Sequence, residues 1–348
     1  MNKFRWSTFS ARRPYLFTLL LLVVCMAVNF VFQPGLFERN TLNSNMRVFL
    51  PSILLAAGQA VVVLAGGIDI SVGAILSIVN TILVTQLGAR ASTGRTAELL
   101  AFVLVIGMLA GAINGFFIAY LRLQPIITTY ATSFLFGGIA LAILPYPGGA
   151  IPAALATFYR NTTPLGLPLA FLVIFLMLAA WALTQRTRYG RYLYAVGGQP
   201  DAAYATAVPV NGVQFSTYVV SGFMAALAGI AITMLTSSGS AGIGDALTLT
   251  SISAVVIGGT ALRGGVGGVA GPILGAVILG FVRNIISFAN VSLWWQTFVN
   301  AAIIVVALAA PGIIDLFRRV VYENIKDIPA ARRRSAGGHS VPGQRPAA

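Results

Sequence analysis

QRTRYGRYLYAVGGQPDAAYATAVPVNG, Gln185 to Gly212, is the stretch on which the reading of this chain turns. It lies between two long apolar segments, opens on Arg186, Arg188 and Arg191, and breaks at a Gly-Gly-Gln-Pro turn before the short run Asp201-Ala202-Ala203. No other internal interruption is as long and as basic. We read it as a cytoplasmic loop folded into a short helix along the membrane surface, where a second protein could push on it. That reading orients every segment on either side, because basic loops stay on the cytoplasmic side of a membrane.

Working outward, composition agrees. Apolar residues make up 57% of the 348 positions and charged residues 9%, where a soluble chain carries about 25% charged residues. Mean hydropathy is +0.87. The expected fold is all-α, a polytopic transmembrane helix bundle. The net charge of +14 would suggest nucleic acid in a soluble protein. Here the basic residues cluster beside apolar segments, so the charge is topological and no nucleic-acid partner is expected. The single cysteine, Cys25, and the single histidine, His339 in a polar tail, exclude a disulfide framework and His-based metal or acid-base chemistry in the membrane part. No metal or other cofactor is expected.

A span needs about 20 mostly apolar residues. By that measure spans fall near 15–33, 46–65, 70–88, 97–120, 126–144, 164–184, 213–236, 246–262, 266–286 and 293–310, about ten, the third and eighth weakened by Ser, Thr and Gly. Lys3, Arg5, Arg12 and Arg13 before the first run mimic a signal peptide, but no small-residue cleavage site precedes Asn29-Phe30, so the run is read as a retained span. With both termini cytoplasmic, only Arg39, Arg47, Arg90, Arg95, Arg160 and Arg283 of the 22 Lys and Arg lie outside or near outer ends. An odd span count would invert the basic carboxyl tail. The organisation is then a basic amino terminus (1–14), a transmembrane domain (15–312) with the loops 185–212 inside and 145–164 outside, and a basic tail (313–348), expected to be largely disordered from about 327. The four prolines of 145–164 suggest an ordered outer cap; an ordinary connector has equal standing.

Two glycine-rich turns stand out. GGIDISVG, Gly66 to Gly73, places Asp69 between two apolar runs, where a carboxylate is costly and functional by default. Asp69 could instead simply cap the helix that follows, whose first turn holds Ser71 and Gly73. GGTALRGGVGGVAGP, Gly258 to Pro272, superficially resembles a phosphate loop, but no strand precedes it and no G-x-x-x-x-G-K-[ST] occurs. It reads as a tight cytoplasmic turn between small-faced helices. No G-x-S-x-G, H-E-x-x-H or paired intramembrane carboxylate points to an enzyme.

Three segments, AGGIDISVGAIL at 65–76, TRYGRYLYAVGGQPDAA at 187–203 and SAVVIGGTALRGGVGGVAGPILGAVILG at 253–280, resemble in kind and order the membrane permease subunits of bacterial ABC importers for monosaccharides, the ribose, xylose and galactose type. The likeness covers most of 45–312. It implies a multi-pass protein of the bacterial inner membrane, with a second permease subunit, a cytoplasmic ABC ATPase that hydrolyses ATP, and a periplasmic sugar-binding protein. In that family a GGN-x-x-A-A loop is thought to dock on the ATPase. Gly197, Gly198, Ala202 and Ala203 match it, and with Arg188, Gly190, Arg191 and Asp201 form the expected coupling contact. Gln199 stands where Asn is usual, Thr206-Ala207 where Ser-Gly is usual, and Thr248 and Thr250 where acids are usual.

A monosaccharide or related polyol needs hydroxyl and amide partners. A neutral pathway is therefore expected near Ser71, Asn80, Asn114, Thr128, Thr132 and Asn284, with Asp69 beside it. For each residue the competing assignment is a hydrogen bond between helices. The rival functions are an ion-coupled secondary carrier acting without an ATPase and a membrane enzyme or scaffold.

Overall fold

The computed structural model describes residues 15–289 together with residues 295, 298, 301, 302 and 305. The segment 1–14, most of the expected tenth span and the tail lie outside the described residues. Among those described there are twelve α-helices: α1 (Tyr15–Phe32), α2 (Arg39–Leu64), α3 (Val72–Gln86), α4 (Thr93–Ala119), α5 (Pro125–Ile143), α6 (Ala153–Asn161), α7 (Leu169–Arg186), α8 (Arg188–Gly198), α9 (Pro200–Ala205), α10 (Val210–Thr236), α11 (Asp245–Ile257) and α12 (Ala270–Phe288). The one extended pairing among them is an isolated antiparallel bridge between Gly148 and Gly239.

Six helices, α2, α4, α5, α7, α10 and α12, are long and apolar enough to cross a membrane. The two weakest runs of the sequence became α3 and α11, of 15 and 13 residues. At 1.5 Å per residue they reach about 22 and 20 Å, short of a hydrocarbon layer of about 30 Å. A left-handed glycine follows each: Gly88 at φ +60° after α3 and Gly259 at φ +77° after α11, a conformation L side chains avoid, so α11 stops at Ile257 and not near 262.

The centre of the bundle is α10, packed against α4, α2 and α3. Gly107, Gly111 and Gly115 recur every four residues on α4 and so share one face. A methyl on Gly111 would run into the Tyr218 carbonyl, and one on Gly107 into the Gly222 carbonyl of α10. Backbones meet there because lipid supplies no hydrophobic drive between helices, leaving close packing as the attraction. By contrast α7 buries only Ala170 and Met177.

Counting apolar residues starts the second helix at 46, whereas α2 begins at Arg39. Its polar first turns are held by the segment 145–164, which contains α6: Asn43 Nδ2 and Arg47 Nη1 donate to the Arg160 carbonyl at 3.2 and 2.9 Å, and Tyr159 Oη donates to the Arg47 carbonyl at 2.8 Å. These bonds replace water for groups that hydropathy counts as unfit for a helix in lipid.

Candidate functional site

The three segments singled out in the sequence, up to 200 residues apart, meet in one place. Gly66 and Gly264 sit at φ +83° and +86°, and Gly265 at +70°. The Gly265 N–H donates to the Leu64 carbonyl at 3.0 Å. Gly197 of α8 fits between them with no room for a side chain: a methyl there would overlap the Leu64 carbonyl oxygen and lie 2.7 Å from Gly265 N. A methyl on Gly265 would lie 2.6 Å from Gly198 Cα, and one on Gly264 2.8 Å from Gly66 Cα. Backbone therefore touches backbone across the end of α2, the end of α8, and the loop between α11 and α12. Tyr194 Oη adds a 2.8 Å bond to the Gly267 carbonyl.

The helix α8 is amphipathic because Gly190, Leu193, Val196 and Gly197 recur at three- and four-residue steps and are buried. They pack with Leu64, Ala65, Ala203 and Val213. Thr187 accepts from the Gly190 N–H at 3.3 Å and caps the helix. Pro200, which lacks an N–H, starts α9. Tyr189 Oη pairs with Ser216 Oγ at 2.8 Å, and burial pushes its phenol above the ordinary tyrosine range. The structure divides the expected coupling residues into two sets. Gly190, Gly197 and Ala203 face the bundle, whereas Arg188, Arg191, Gly198, Asp201 and Ala202 are exposed, with Tyr204 beside them 74% exposed. Nothing lies within 4 Å of a methyl placed on Gly198.

Immediately beyond the junction, the turn from α2 to α3 buries Asp69 completely. Its Oδ1 accepts from Ser71 N and Ser71 Oγ at 3.0 and 2.7 Å, and its Oδ2 from Ser221 Oγ of α10 at 2.8 Å. Ser71 Oγ accepts from Asn114 Nδ2 of α4 at 2.7 Å, and Asn114 Oδ1 accepts from Thr132 Oγ1 of α5 at 2.6 Å. The Gln59 amide, oriented so that both its atoms are satisfied, donates to the Asp69 carbonyl at 3.0 Å and accepts from the Asp69 N–H at 3.1 Å. Thr129 Oγ1 donates to the Ile68 carbonyl at 3.2 Å and accepts from Ile70 N at 3.1 Å. One turn is thus tied to α2, α4, α5 and α10 by bonds that a dry environment strengthens.

Of the expected pathway residues, Asp69, Ser71, Asn114 and Thr132 form this chain and are bonded to one another. Thr128 turns its hydroxyl onto the Gln124 carbonyl of its own helix. Asn80 lies apart, donating to Thr233 Oγ1 and the Ser238 carbonyl at 2.9 and 3.3 Å and accepting from Ser240 N at 3.0 Å. Asn284 is elsewhere on α12, its buried Nδ2 without a partner among the described residues. Gln59, Thr129 and Ser221 were missed. A polar residue inside a long apolar run was the available signal for Gln59, while nothing local marks Ser221, 152 residues from Asp69.

The geometry can now be set beside known proteins. Residues 41–308 match the family described as branched-chain amino acid transport system / permease component. The chain is similar to the ribose import permease protein of Haemophilus influenzae, 32% identical over 301 residues that cover 84% of this chain and 91% of the relative. The ribose import permease protein of Escherichia coli K12 is 32% identical over 296 residues, with the same coverage. The autoinducer 2 import system permease protein of Enterobacter sp. strain 638 is 29% identical over 302 residues, covering 84% and 90%. No solved structure matches.

Proposed function

We propose, from the premise that this chain belongs to the family of branched-chain amino acid transport system permease components, that it is the membrane permease subunit of an ATP-driven ABC importer for a monosaccharide or related polyol. Relatives named for import of ribose and autoinducer 2 support a polyhydroxylated cargo. In this reading the chain has about ten spans in the inner membrane with both termini cytoplasmic. It works with a second permease subunit, an ABC ATPase on the side of residues 185–212, and a periplasmic binding protein on the opposite side.

The observation that carries the proposal is the two-sidedness of α8 and α9. One face is locked, backbone to backbone, against Leu64–Gly66 and Gly264–Gly265, while the other presents Gly198, Asp201, Ala202 and Tyr204. Closure of the ATPase on ATP would push the exposed face. The junction would pass that displacement to the turn that holds Asp69, and its hydrogen bonds would pass it on to α4, α5 and α10. Cargo would meet Ser71, Asn114, Thr128 and Thr132 as this network opens, with Asn80 and Asn284 further along the path.

The test is uptake into vesicles that contain the chain, its ATPase and its binding protein, comparing wild type with Gly198→Trp combined with Ala202→Arg. Both positions are exposed, so the variant should insert normally and lose ATP-driven uptake. Uptake by the chain alone on a proton or sodium gradient would favour a secondary carrier. Normal uptake by the variant would remove 185–212 from the ATPase contact.

A further inference from the structure

Between α7 and the body of the bundle lies an apolar cavity of about 130 Å³, walled by Ala57 of α2, Met224 of α10 and Met177 and Ala180 of α7, and ending at Thr184 and Tyr189. The loose seating of α7, with only Ala170 and Met177 buried, leaves it unsealed by helix packing. Water gains nothing in such a space, because the walls offer few polar partners. Left empty, the walls forfeit their dispersion contacts. In a bilayer the chemistry that fits is an acyl chain.

Arginines flank the polar end of the cavity along the chain. Arg186 lies in sequence between Thr184 and Tyr189, Arg188 directly precedes Tyr189, and Arg191 follows within a turn; all three are exposed. From Leu169 to Pro200 there is no Asp or Glu, and among the described residues the one ion pair is Arg95 with Glu98, far along the chain. An apolar slot with exposed arginines next to it in the chain complements a lipid with an apolar tail and a negative headgroup. We infer that this groove binds an anionic phospholipid from the leaflet on the side of residues 185–212, its chain along Ala57, Met177 and Met224 and its headgroup at Arg186 and Arg188. Since Tyr189 belongs both to the groove and to α8, the occupied groove braces the helix that carries the glycine junction.

The experiment is native mass spectrometry of the full purified chain, with no ATPase present, after adding phosphatidylglycerol or phosphatidylcholine of identical acyl chains. Wild type should retain phosphatidylglycerol in preference. Ala180→Phe, which fills the groove from an exposed position, should lose retention of both lipids. Arg186→Gln together with Arg188→Gln should keep chain binding and lose roughly five-fold in the preference for each arginine removed. Ala182→Phe, on the face of α7 turned away from the groove and exposed, should match wild type. Equal retention of the two lipids by wild type, undiminished phosphatidylglycerol on Ala180→Phe, or an equal loss from Ala182→Phe would each overturn the site. The readout involves no transport, so it fails or stands independently of the importer assignment.

Discussion

Replacing Gly265 by alanine tests the junction at its tightest point. The residue sits at φ +70°, a conformation that costs an L residue about 1–2 kcal/mol. The new methyl would lie 2.6 Å from Gly198 Cα and 2.7 Å from Gly198 N, where ordinary contact begins at 3.4 Å. α8 must therefore retreat by about 0.8 Å, the difference between the two. Neither obstructing atom is the free end of a side chain, so the strain falls on backbone, and overpacking of this kind costs about 1–3 kcal/mol. A combined loss of about 3 kcal/mol follows, with the Gly265 to Leu64 hydrogen bond stretched. In detergent the variant should insert and melt several degrees early. Reconstituted with its ATPase and binding protein, it should hydrolyse ATP without responding to the loaded binding protein. Gly198→Ala is the control, since nothing lies within 4 Å of its methyl, and should keep wild-type stability. A Gly265→Ala protein with wild-type melting and stimulated hydrolysis would refute the claim that backbone contact at this point transmits force.

Asp69→Ala removes the acceptor for Ser71 N, Ser71 Oγ and Ser221 Oγ; at about 1–3 kcal/mol per orphaned buried donor, partly recovered by hydroxyl rotation, thermal unfolding should show a loss of about 3 kcal/mol, and a neutral result would mean the network is not closed. Gly111→Leu forces a side chain into the Tyr218 carbonyl and should prevent close approach of α4 and α10, read as loss of monodisperse protein on size exclusion; normal yield and melting would show that the crossing is looser than described. Thr250→Asp offers a carboxylate to Arg283, whose Nη2 donates to the Thr250 hydroxyl at 3.4 Å among the described residues. A charge-assisted bond in its place should add about 1–2 kcal/mol of stability, and a lowered melting temperature would place Arg283 in other use.

Helix positions were legible wherever apolar residues ran uninterrupted, because burial in lipid and helix formation select the same residues. Helix and apolar run part company at α2 and α6. The first turns of α2 are polar, yet Arg160 and Tyr159 satisfy them, and α6 is too short and mixed to register as an apolar run. The site was legible in its parts. Gly66 to Gly73, Gly197-Gly198 and Gly258 to Gly271 each announced backbone freedom, and Asp69 announced cost. What the sequence could not carry was their meeting, because a glycine that permits a turn and a glycine that permits another backbone to touch it look alike. The same holds for Asp69: its bond to Ser71 follows from two-residue spacing, whereas Ser221 becomes its partner only once α10 has packed against α2.

The distribution of bonds also predicts which parts of the bundle move together. α4 and α10 touch through the glycine face at 107, 111 and 115; at Gly107 and Gly111 the facing atoms are backbone and the Ala226 methyl, which cannot absorb a shift by changing rotamer, while Gly115 meets the Phe215 backbone and ring. Close-packed contacts of this kind transmit displacement and do not deform gradually. Asp69 is bonded to α10 through Ser221, and to α4 through Ser71 and Asn114, so the turn belongs to that same unit. α5 packs against α3 but is attached to the Asp69 turn and α4 more lightly, through single hydroxyls at Thr129 and Thr132, and a hydroxyl can exchange one acceptor for another at small cost. α7, seated loosely, has little to resist with. A displacement entering at Gly197 would therefore carry α2, the Asp69 turn, α4 and α10 as one body and find its slip plane along α5, where Thr132 and Asn114 part. Under the proposed function those are the groups a polyol would need, and they would be freed as the path opens.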